Sequence, residues 1–562
     1  MRREASVVNK KVCSFPILFA LLALLIGTCA VVFPASAQAA PTSTGSITVS
    51  GTVASSYDAY QIFSANVVDG DSDAKTFTDL VWASDAVRDA ALPVLHSAGM
   101  PNSQTTAQKA AEWLNTDSHL TGALSAQLAR SLQSSGAVSV ALNAGTAAKL
   151  PSGYWLIVAD DDAIAQGEVG TAPIMALVGG GAVTVKPKAA TPKVSKHVLE
   201  DSTAAWQKAA DATVADDLYW RLSATVPAGL TAYDTYAVRF VDTMGAGLDP
   251  SKVAASMRVY VAAGADGGFD AVSADKDGRV GTEPAKGWTD ITAQCATKIA
   301  ADGTFTVRTG DLIAALGGAD AFTAGARVVA VYNAPLNSAC NHGIAKGNPN
   351  EAYLCYPRSP FADQSGDAGF TRTPSDDACA YTWDLALTKR SSDGDKPLAG
   401  AVLSIADDRG RTLAADGTWD AEGKATVTTG EDGRVTVSGV DSGKLEVREL
   451  KAPKGYTAFE GTRSVTVKAE GLDVDQVAAA KPKLTITAES PLRADSADGS
   501  TGSLEASLIN TPTGTPPSIT TGGFMPSTGD MAMYAAAAAA VAGAALIVVA
   551  LLVKRGGGSH KE

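Results

Sequence analysis

The sequence predicts a mainly β protein of tandem sandwich domains, preceded by a mixed domain that contains helices. The chain has 562 residues, enough for about three or four domains. Its hydrophobic fraction is 46%, which suffices for packed cores and argues against wholesale disorder. Short segments of alternating apolar and polar residues recur through its C-terminal two thirds. Such short, regularly spaced strands are typical of immunoglobulin-like β-sandwiches.

The charge balance and the histidine count exclude several classes of function. There are 46 basic and 59 acidic side chains, for a formal net charge of −13, with no concentrated basic face. We therefore expect no nucleic-acid partner. Five histidines leave little material for a histidine-rich site, so we predict no metal and no cofactor. No nucleophile–histidine–acid set and no zinc-protease helix stands out, which argues against an anchored enzyme.

Residues 1–39 have the order of a secretory signal peptide. A basic start is followed by an apolar run from Phe15 to Phe33 and then by small residues that include Ala37 and Ala39. This order predicts cleavage after Ala37 or Ala39 and export of the mature chain. The alternative is an uncleaved membrane anchor.

Three blocks follow the signal peptide. The first, 45–190, opens with the strand pattern SITVSGTV, continues with Ala-rich segments of helical spacing at 104–114 and 124–132, and returns to strands with GYWLIVADDD and GAVTVKPK. The second block, 191–384, and the third, 385–512, alternate as strands throughout. Residues 513–524 are rich in Pro, Gly and Thr and predict an extended tether.

Four cysteines remain in the mature chain, all in the second block: Cys295, Cys340, Cys355 and Cys379. An even number in an exported protein predicts two disulfides, with three possible pairings. We expect Cys355–Cys379 together with Cys295–Cys340. A zinc site is the alternative, but the spacing lacks a CxxC pair.

The C-terminal segment, 525–562, carries three features in order. The pentapeptide Met525-Pro526-Ser527-Thr528-Gly529 precedes an apolar run, 532–553, that is long enough for a membrane helix, and a basic tail follows. Together they resemble the LPXTG cell-wall sorting signal of Gram-positive surface proteins, with Met in place of Leu. The resemblance implies that a sortase cysteine attacks the Thr528 carbonyl, releases Gly529 onward and passes the chain to an amine.

The third block contains the motifs LALTK (385–389), PLAGA (397–401), the stretch from Glu449 to Tyr456 and a terminal LIN (508–510). These resemble the collagen-adhesin B-type domain of Gram-positive pilins, whose E-box has the form ExxAPxGY. The resemblance implies that Lys389 condenses with Asn510 while Glu449 assists. Burial favours the neutral amine and the protonated acid that this reaction needs. An ordinary Lys389–Glu449 ion pair is the alternative.

The second block resembles the middle domain of shaft pilins more loosely. Lys196 in PKVSKHV and Asp242 match the bonding lysine and the assisting acid of that family. The residues that precede the family's YSNNP motif have matches here, but Pro357 follows Tyr356 where an Asn is expected. We therefore expect the isopeptide bond to be missing here and the disulfides to substitute for it.

The first block ends in Val183-Thr184-Val185-Lys186-Pro187-Lys188-Ala189. This partly matches the pilin motif WxxxVxVYPKN, whose lysine accepts the acyl group of the next subunit. The match implies Lys188 as the acceptor, with Lys186 as a rival nucleophile. A plain linker lysine is the alternative.

These resemblances imply a structural subunit, most simply the shaft, of a sortase-assembled surface pilus that serves adhesion. The expected partners are pilus-class and housekeeping sortases, further copies of the chain, minor pilins, peptidoglycan and a host surface ligand. The precursor would be held transiently in the membrane of a Gram-positive bacterium. The alternative is a monomeric wall-anchored adhesin.

Overall fold

The computed structural model describes residues 43–514, except 70–74, 117–118, 180, 188–190, 228–229, 265–267 and 324. The predicted signal peptide, Lys188, the sorting pentapeptide and the C-terminal apolar run lie outside these residues. Within the described residues, no helix combines the length and apolarity needed to span a bilayer.

The first block combines two sheets with three helices. One sheet has the order β5-β1-β8, and the other has the order β3-β2-β6-β7 with β4 also paired to β2. Ser84, Thr106 and Thr121 cap the helices, because each side chain accepts a backbone N–H of the first turn. The elements are β1 (Thr44–Val49), β2 (Ser56–Asp69), β3 (Lys75–Trp82), α1 (Asp85–Ser97), α2 (Ala107–Leu114), α3 (Gly122–Ser134), β4 (Ser139–Asn143), β5 (Ala148–Pro151), β6 (Gly153–Ala159), β7 (Ile174–Val178) and β8 (Ala182–Val185).

The second block is a sandwich of two sheets around one core. Their orders are β10-β9-β12-β18-β14-β15 and β11-β21-β19-β13-β17-β16, with β20 paired to β19. The elements are β9 (Val194–Glu200), β10 (Ala205–Gln207), β11 (Ala209–Asp211), β12 (Tyr219–Thr225), β13 (Arg239–Met244), α4 (Val253–Ser256), β14 (Arg258–Ala262), β15 (Thr289–Asp290), β16 (Ala296–Ile299), β17 (Thr304–Arg308), α5 (Leu312–Ala315), β18 (Arg327–Asn333), β19 (Asn348–Pro357), β20 (Phe370–Arg372) and β21 (Asp376–Tyr381).

The third block is a second sandwich, in which the first and last strands are neighbours. Its sheets have the orders β27-β22-β33-β29, with β32 paired to β33, and β25-β24-β23-β28-β30-β31, with β26 paired to β23. The elements are β22 (Trp383–Ser391), β23 (Val402–Ala406), β24 (Thr412–Leu413), β25 (Trp419–Asp420), β26 (Val427–Thr428), β27 (Arg434–Val440), β28 (Gly443–Lys451), β29 (Tyr456–Thr457), β30 (Thr462–Glu470), β31 (Lys483–Ala488), β32 (Leu492–Asp498) and β33 (Ser503–Pro512).

The predicted fold class is confirmed: the described chain is mainly β, with tandem sandwiches and with its long helices in the first block. Polar contacts join the second sandwich to the third. The Asp211 carboxylate accepts hydrogen bonds from the Trp383 indole N–H at 2.6 Å and from the Ser442 backbone N–H at 3.0 Å. Arg411 donates to Asp216 at 2.7 Å. The connection therefore has specific contacts beyond the chain itself.

Candidate functional site

Three polar residues lie at one end of the third-block core because each continues an inward-facing apolar row. Successive side chains of a strand alternate between faces, so residues two apart share one. On β22 the row Leu385, Leu387 ends in Lys389, and all three are buried. The corresponding rows are Leu445, Val447 and Glu449 on β28, and Ala506, Leu508 and Asn510 on β33.

The side chains of these three residues are in direct contact. Lys389 Nζ hydrogen-bonds to Asn510 Oδ1 and lies 3.1 Å from Glu449 Oε1. Asn510 Nδ2 donates to both carboxylate oxygens of Glu449, at 2.9 and 3.1 Å. The backbone N–H of Phe459 donates to Glu449 Oε2 at 3.1 Å. An amine, a carboxamide and an acid are therefore held together at the positions that the E-box resemblance implied.

Burial changes the acid–base properties of the amine. It lowers the pKa of Lys389 to about 8, although the neighbouring Glu449 opposes the shift. The cause is the loss of water around the ammonium, which disfavours its charged form. A substantial fraction of Lys389 is therefore neutral near pH 8 and able to act as a nucleophile.

A second buried cluster lies in the second block, again at inward positions of its strands. Lys196 on β9, Asp242 on β13, Tyr332 on β18 and Asn350 on β19 are all fully buried. Lys196 Nζ contacts Asp242 Oδ2 and donates to the Tyr332 hydroxyl at 2.8 Å. Asn350 Nδ2 donates to the same hydroxyl at 2.9 Å. Burial lowers the pKa of Lys196 and raises that of Asp242, in each case against the opposing charge of the partner.

Asn350 is the residue that the sequence interpretation missed. The sequence interpretation expected the bonding asparagine just after Tyr356 and found proline there. In the structure, Asn350 at the start of β19 reaches the cluster instead. The strand alternation contains the signal: Ala352, Leu354 and Tyr356 pack into the core, and counting back by two from Ala352 reaches Asn350. The expectation of a second block without a candidate bonding asparagine was therefore wrong.

The predicted disulfides are not formed, and all four cysteines are free. Cys379 lies opposite Pro349 in the β19–β21 ladder, six residues along β19 from Cys355. At about 3.3 Å per residue this separates the two by about 20 Å, far beyond the 7 Å limit between bridged Cα atoms. The expectation of Cys355–Cys379 was wrong for this reason.

The pairing Cys295–Cys340 fails because the two residues lie at opposite ends of the same sheet. Cys295 precedes Ala296, which is aligned through β17 and β13 with Cys355. Cys340 lies beside Gly247 and Asn348, beyond the other end of β13. The expectation that disulfides replace an isopeptide bond in this block therefore loses its support.

Of the two candidate acceptor lysines, only Lys186 falls on described residues. It follows β8 directly and is exposed. β8 is held in the first-block core through parallel pairing with β1, in which Val185 lies opposite Val49. Lys186 is thus an accessible amine at the exit of a rigid domain. Among the described residues, no group of three or more His, Cys, Asp or Glu side chains could hold a metal ion.

Comparison with known proteins places the third block among characterised domains. Residues 384–481 match the family described as "SpaA: Prealbumin-like fold domain". A stretch of 143 residues is 31% identical to the "Trypsin-resistant surface T6 protein" of Streptococcus pyogenes serotype M6, covering 24% of this chain and 24% of the relative. The chain thus matches about a quarter of the length of this curated relative.

Two solved pilin structures are among those that the chain matches at low sequence identity. The T6 backbone pilin of Streptococcus pyogenes has a TM-score of 0.44 at 17% identity, covering 85% of this chain and 100% of that one. The major pilin SpaA of Corynebacterium diphtheriae has a TM-score of 0.35 at 14% identity, covering 84% and 100%. The family match falls on the block whose motifs resemble a pilin domain, and it confirms that resemblance.

Proposed function

We propose that the chain is the shaft subunit of a covalently polymerised surface pilus, reinforced by internal lysine–asparagine isopeptide bonds. The observation that carries this proposal is the buried contact among Lys389, Asn510 and Glu449. Surface ion pairs keep their charges hydrated, whereas this amine is enclosed and touches a carboxamide. The fold holds the amine and the carboxamide in contact and away from water. An uncatalysed exchange between a free amine and a free amide in water has neither advantage.

The reaction in the third block balances without an outside reagent. The neutral Lys389 amine attacks Asn510 Cγ, and a new C–N bond forms. Glu449 takes one proton from Nζ and supplies one to Nδ2, the C–Nδ2 bond breaks, and ammonia leaves. Glu449 contacts both nitrogens within hydrogen-bonding range, so one carboxyl group suffices for both transfers.

The second block supports an equivalent bond between Lys196 and Asn350, with Asp242 as the acid. Lys196 and Asn350 share the Tyr332 hydroxyl at 2.8 and 2.9 Å. Their side chains are therefore neighbours in a site without exposure to solvent. Each of the two sandwiches would then carry one covalent cross-link.

Polymerisation would join Thr528 of one molecule to Lys188 or Lys186 of the next. A sortase would hold the donor as a thioester, and the lysine amine would release it. Since the acceptor lies at the exit of the first block and the donor at the C-terminus, repeated head-to-tail joining gives an open filament. A housekeeping sortase would attach its base to peptidoglycan, while minor pilins and a host ligand would complete its role in adhesion.

Coexpression with a pilus-class sortase tests the polymer. The chain should give a ladder of high-mass species in boiled SDS, and K186A/K188A should abolish it, while K186A and K188A singly identify the acceptor. K149A removes another exposed first-block lysine and should leave the ladder intact. A single band from the wild type would contradict the proposal and favour a monomeric wall-anchored adhesin. A ladder that survives in the double variant would contradict the acceptor assignment.

A further inference from the structure

The Tyr332 hydroxyl is the centre of the second-block cluster. It is fully buried, accepts from Lys196 Nζ at 2.8 Å and from Asn350 Nδ2 at 2.9 Å, and donates to Asp242 Oδ2 at 2.8 Å. One donor and two acceptors are the full capacity of a phenol. The aromatic ring is fixed edge-on against Phe305, at 4.8 Å between centroids. The hydroxyl is thus held against all three groups that the proposed bond involves.

We propose that Tyr332 is a catalytic residue of this block, carrying a proton from Asp242 to the leaving nitrogen of Asn350. The proposal rests on the Lys196–Asn350 bond of the preceding section. It adds a group that has no counterpart among the hydrogen-bonding partners of the third-block cluster.

Comparison of the two clusters shows why a hydroxyl is needed. In the third block Glu449 reaches Asn510 Nδ2 directly with both oxygens, at 2.9 and 3.1 Å. Asp242 is one methylene shorter. Its Oδ2 contacts Lys196 and Tyr332, while its Oδ1 is buried without a hydrogen-bond partner. The Tyr332 hydroxyl therefore connects the shorter acid, Asp242, to the amide nitrogen of Asn350. In the third block the longer acid, Glu449, contacts the corresponding nitrogen directly.

The proton movements balance through this bridge. The neutral Lys196 amine attacks Asn350 Cγ. The protonated Asp242 gives its proton to the Tyr332 oxygen as the phenol gives its own to Nδ2, and the resulting Asp242 carboxylate takes one proton from Lys196 Nζ. The C–Nδ2 bond breaks, ammonia leaves, and both Tyr332 and Asp242 end in the protonation states in which they began. Burial raises the pKa of Tyr332 well above its usual value, so the phenol passes a proton on without resting as a phenolate.

The test follows ammonia loss by intact mass after unreacted chain, recovered in denaturant, is diluted into native buffer. The wild type should lose two ammonia equivalents, and peptide mapping should assign them to Lys389–Asn510 and Lys196–Asn350. Tyr332→Phe should lose the first at the wild-type rate and slow the second by about 100-fold or more, the range of general acid–base catalysis. Tyr332→Phe combined with Asp242→Glu should restore the second, because the longer acid reaches the amide as Glu449 does.

Tyr260→Phe is the matched control. Tyr260 is also a fully buried tyrosine of the same sheet, but its hydroxyl donates to the Thr282 carbonyl at 2.9 Å, away from the cluster. It should not change either rate. Calorimetry reports whether the second block folds in each variant.

Three results would overturn the proposal. The first is a second ammonia loss at the wild-type rate in folded Tyr332→Phe. The second is a folded double variant that does not recover the loss. The third is a wild type that never loses the second ammonia, which would also remove the second-block bond. Absence of an SDS ladder with both ammonia losses intact would instead contradict polymerisation alone.

Discussion

Replacing Lys389 by Met should remove the proposed covalent cross-link of the third sandwich without leaving an unreacted amine in its core. Met is unbranched, apolar and close to Lys in length, so it fills the same channel between the sheets. Glu449 keeps its hydrogen bonds from Asn510 and from the Phe459 backbone. The substitution thus removes the proposed covalent bond and the Lys389–Glu449 contact, and it keeps the other hydrogen bonds of Glu449.

The size of the effect follows from the loop that the bond closes. Lys389 and Asn510 are 121 positions apart. By analogy with disulfides, closing such a loop removes about 16 cal/mol/K of unfolded-chain entropy, or about 5 kcal/mol at 25 °C. A domain of about 130 residues unfolds with about 0.27 kcal/mol/K, so its Tm should fall by about 18 °C.

Intact mass shows whether the bond has formed, and calorimetry measures the Tm of the third block. Beyond the change of side chain, Lys389→Met should be heavier than the wild type by one ammonia, and the transition assigned to the third block should shift down. Lys444→Met removes an exposed lysine of the same block and should leave Tm unchanged. The reasoning is refuted if the wild type retains that ammonia, or if Lys389→Met retains it yet melts at the same temperature as the wild type.

Two further predictions concern the chemistry of the clusters. Ammonia release from Lys389–Asn510 in freshly refolded chain should accelerate as pH rises through about 8, because burial lowers the pKa of Lys389 to that value. In the unfolded chain, Lys389 keeps its proton to a higher pH. The stability of the unreacted block should therefore rise with pH over the same window. A rate independent of pH from 6 to 10 (about two units either side of the pKa) would contradict the neutral amine as nucleophile. In the second block, Asn350→Ala should abolish one ammonia loss, whereas Asn348→Ala, whose side chain bonds Asn341, should not; peptide mapping of the cross-link distinguishes them.

The third-block site could be predicted because its evidence is local in sequence. The E-box fixes Glu449 within eight consecutive residues, and the ends of the first and last strands supply Lys389 and Asn510. Strand alternation alone then places all three on inward faces. The fold class was readable for the same reason, since period-two patterning does not depend on which strands become neighbours.

What depends on strand neighbours was not readable. The cysteine pairing failed because Cys355 and Cys379 lie near each other in sequence but at opposite ends of an antiparallel ladder. Asn350 was missed because the resemblance directed attention to residues after Tyr356, although counting back from Tyr356 by three steps of two residues reaches it on the same face of β19. Tyr332 had no motif at all, and its role emerges only where β18 faces β13 across the core.

The order of strands also determines how the proposed third-block bond would carry tension. β22 and β33 are parallel neighbours, with Ser391 opposite Asn510 in the register. Tension entering from the second block at Trp383 would run along β22 to Lys389, cross to Asn510 and leave along β33 towards the tether. The segment 390–509, which contains the remaining strands of the sandwich, lies off this path.

Pulling single molecules from residue 383 to residue 512 tests this path. With the bond in place, the third block should add no unfolding step, because the hidden segment cannot extend. Lys389→Met should release it, adding about 400 Å of contour length for 121 residues at about 3.3–3.6 Å each. Lys444→Met should behave as the wild type. A step of that length in wild-type molecules that have lost the ammonia would mean that tension does not cross between Lys389 and Asn510.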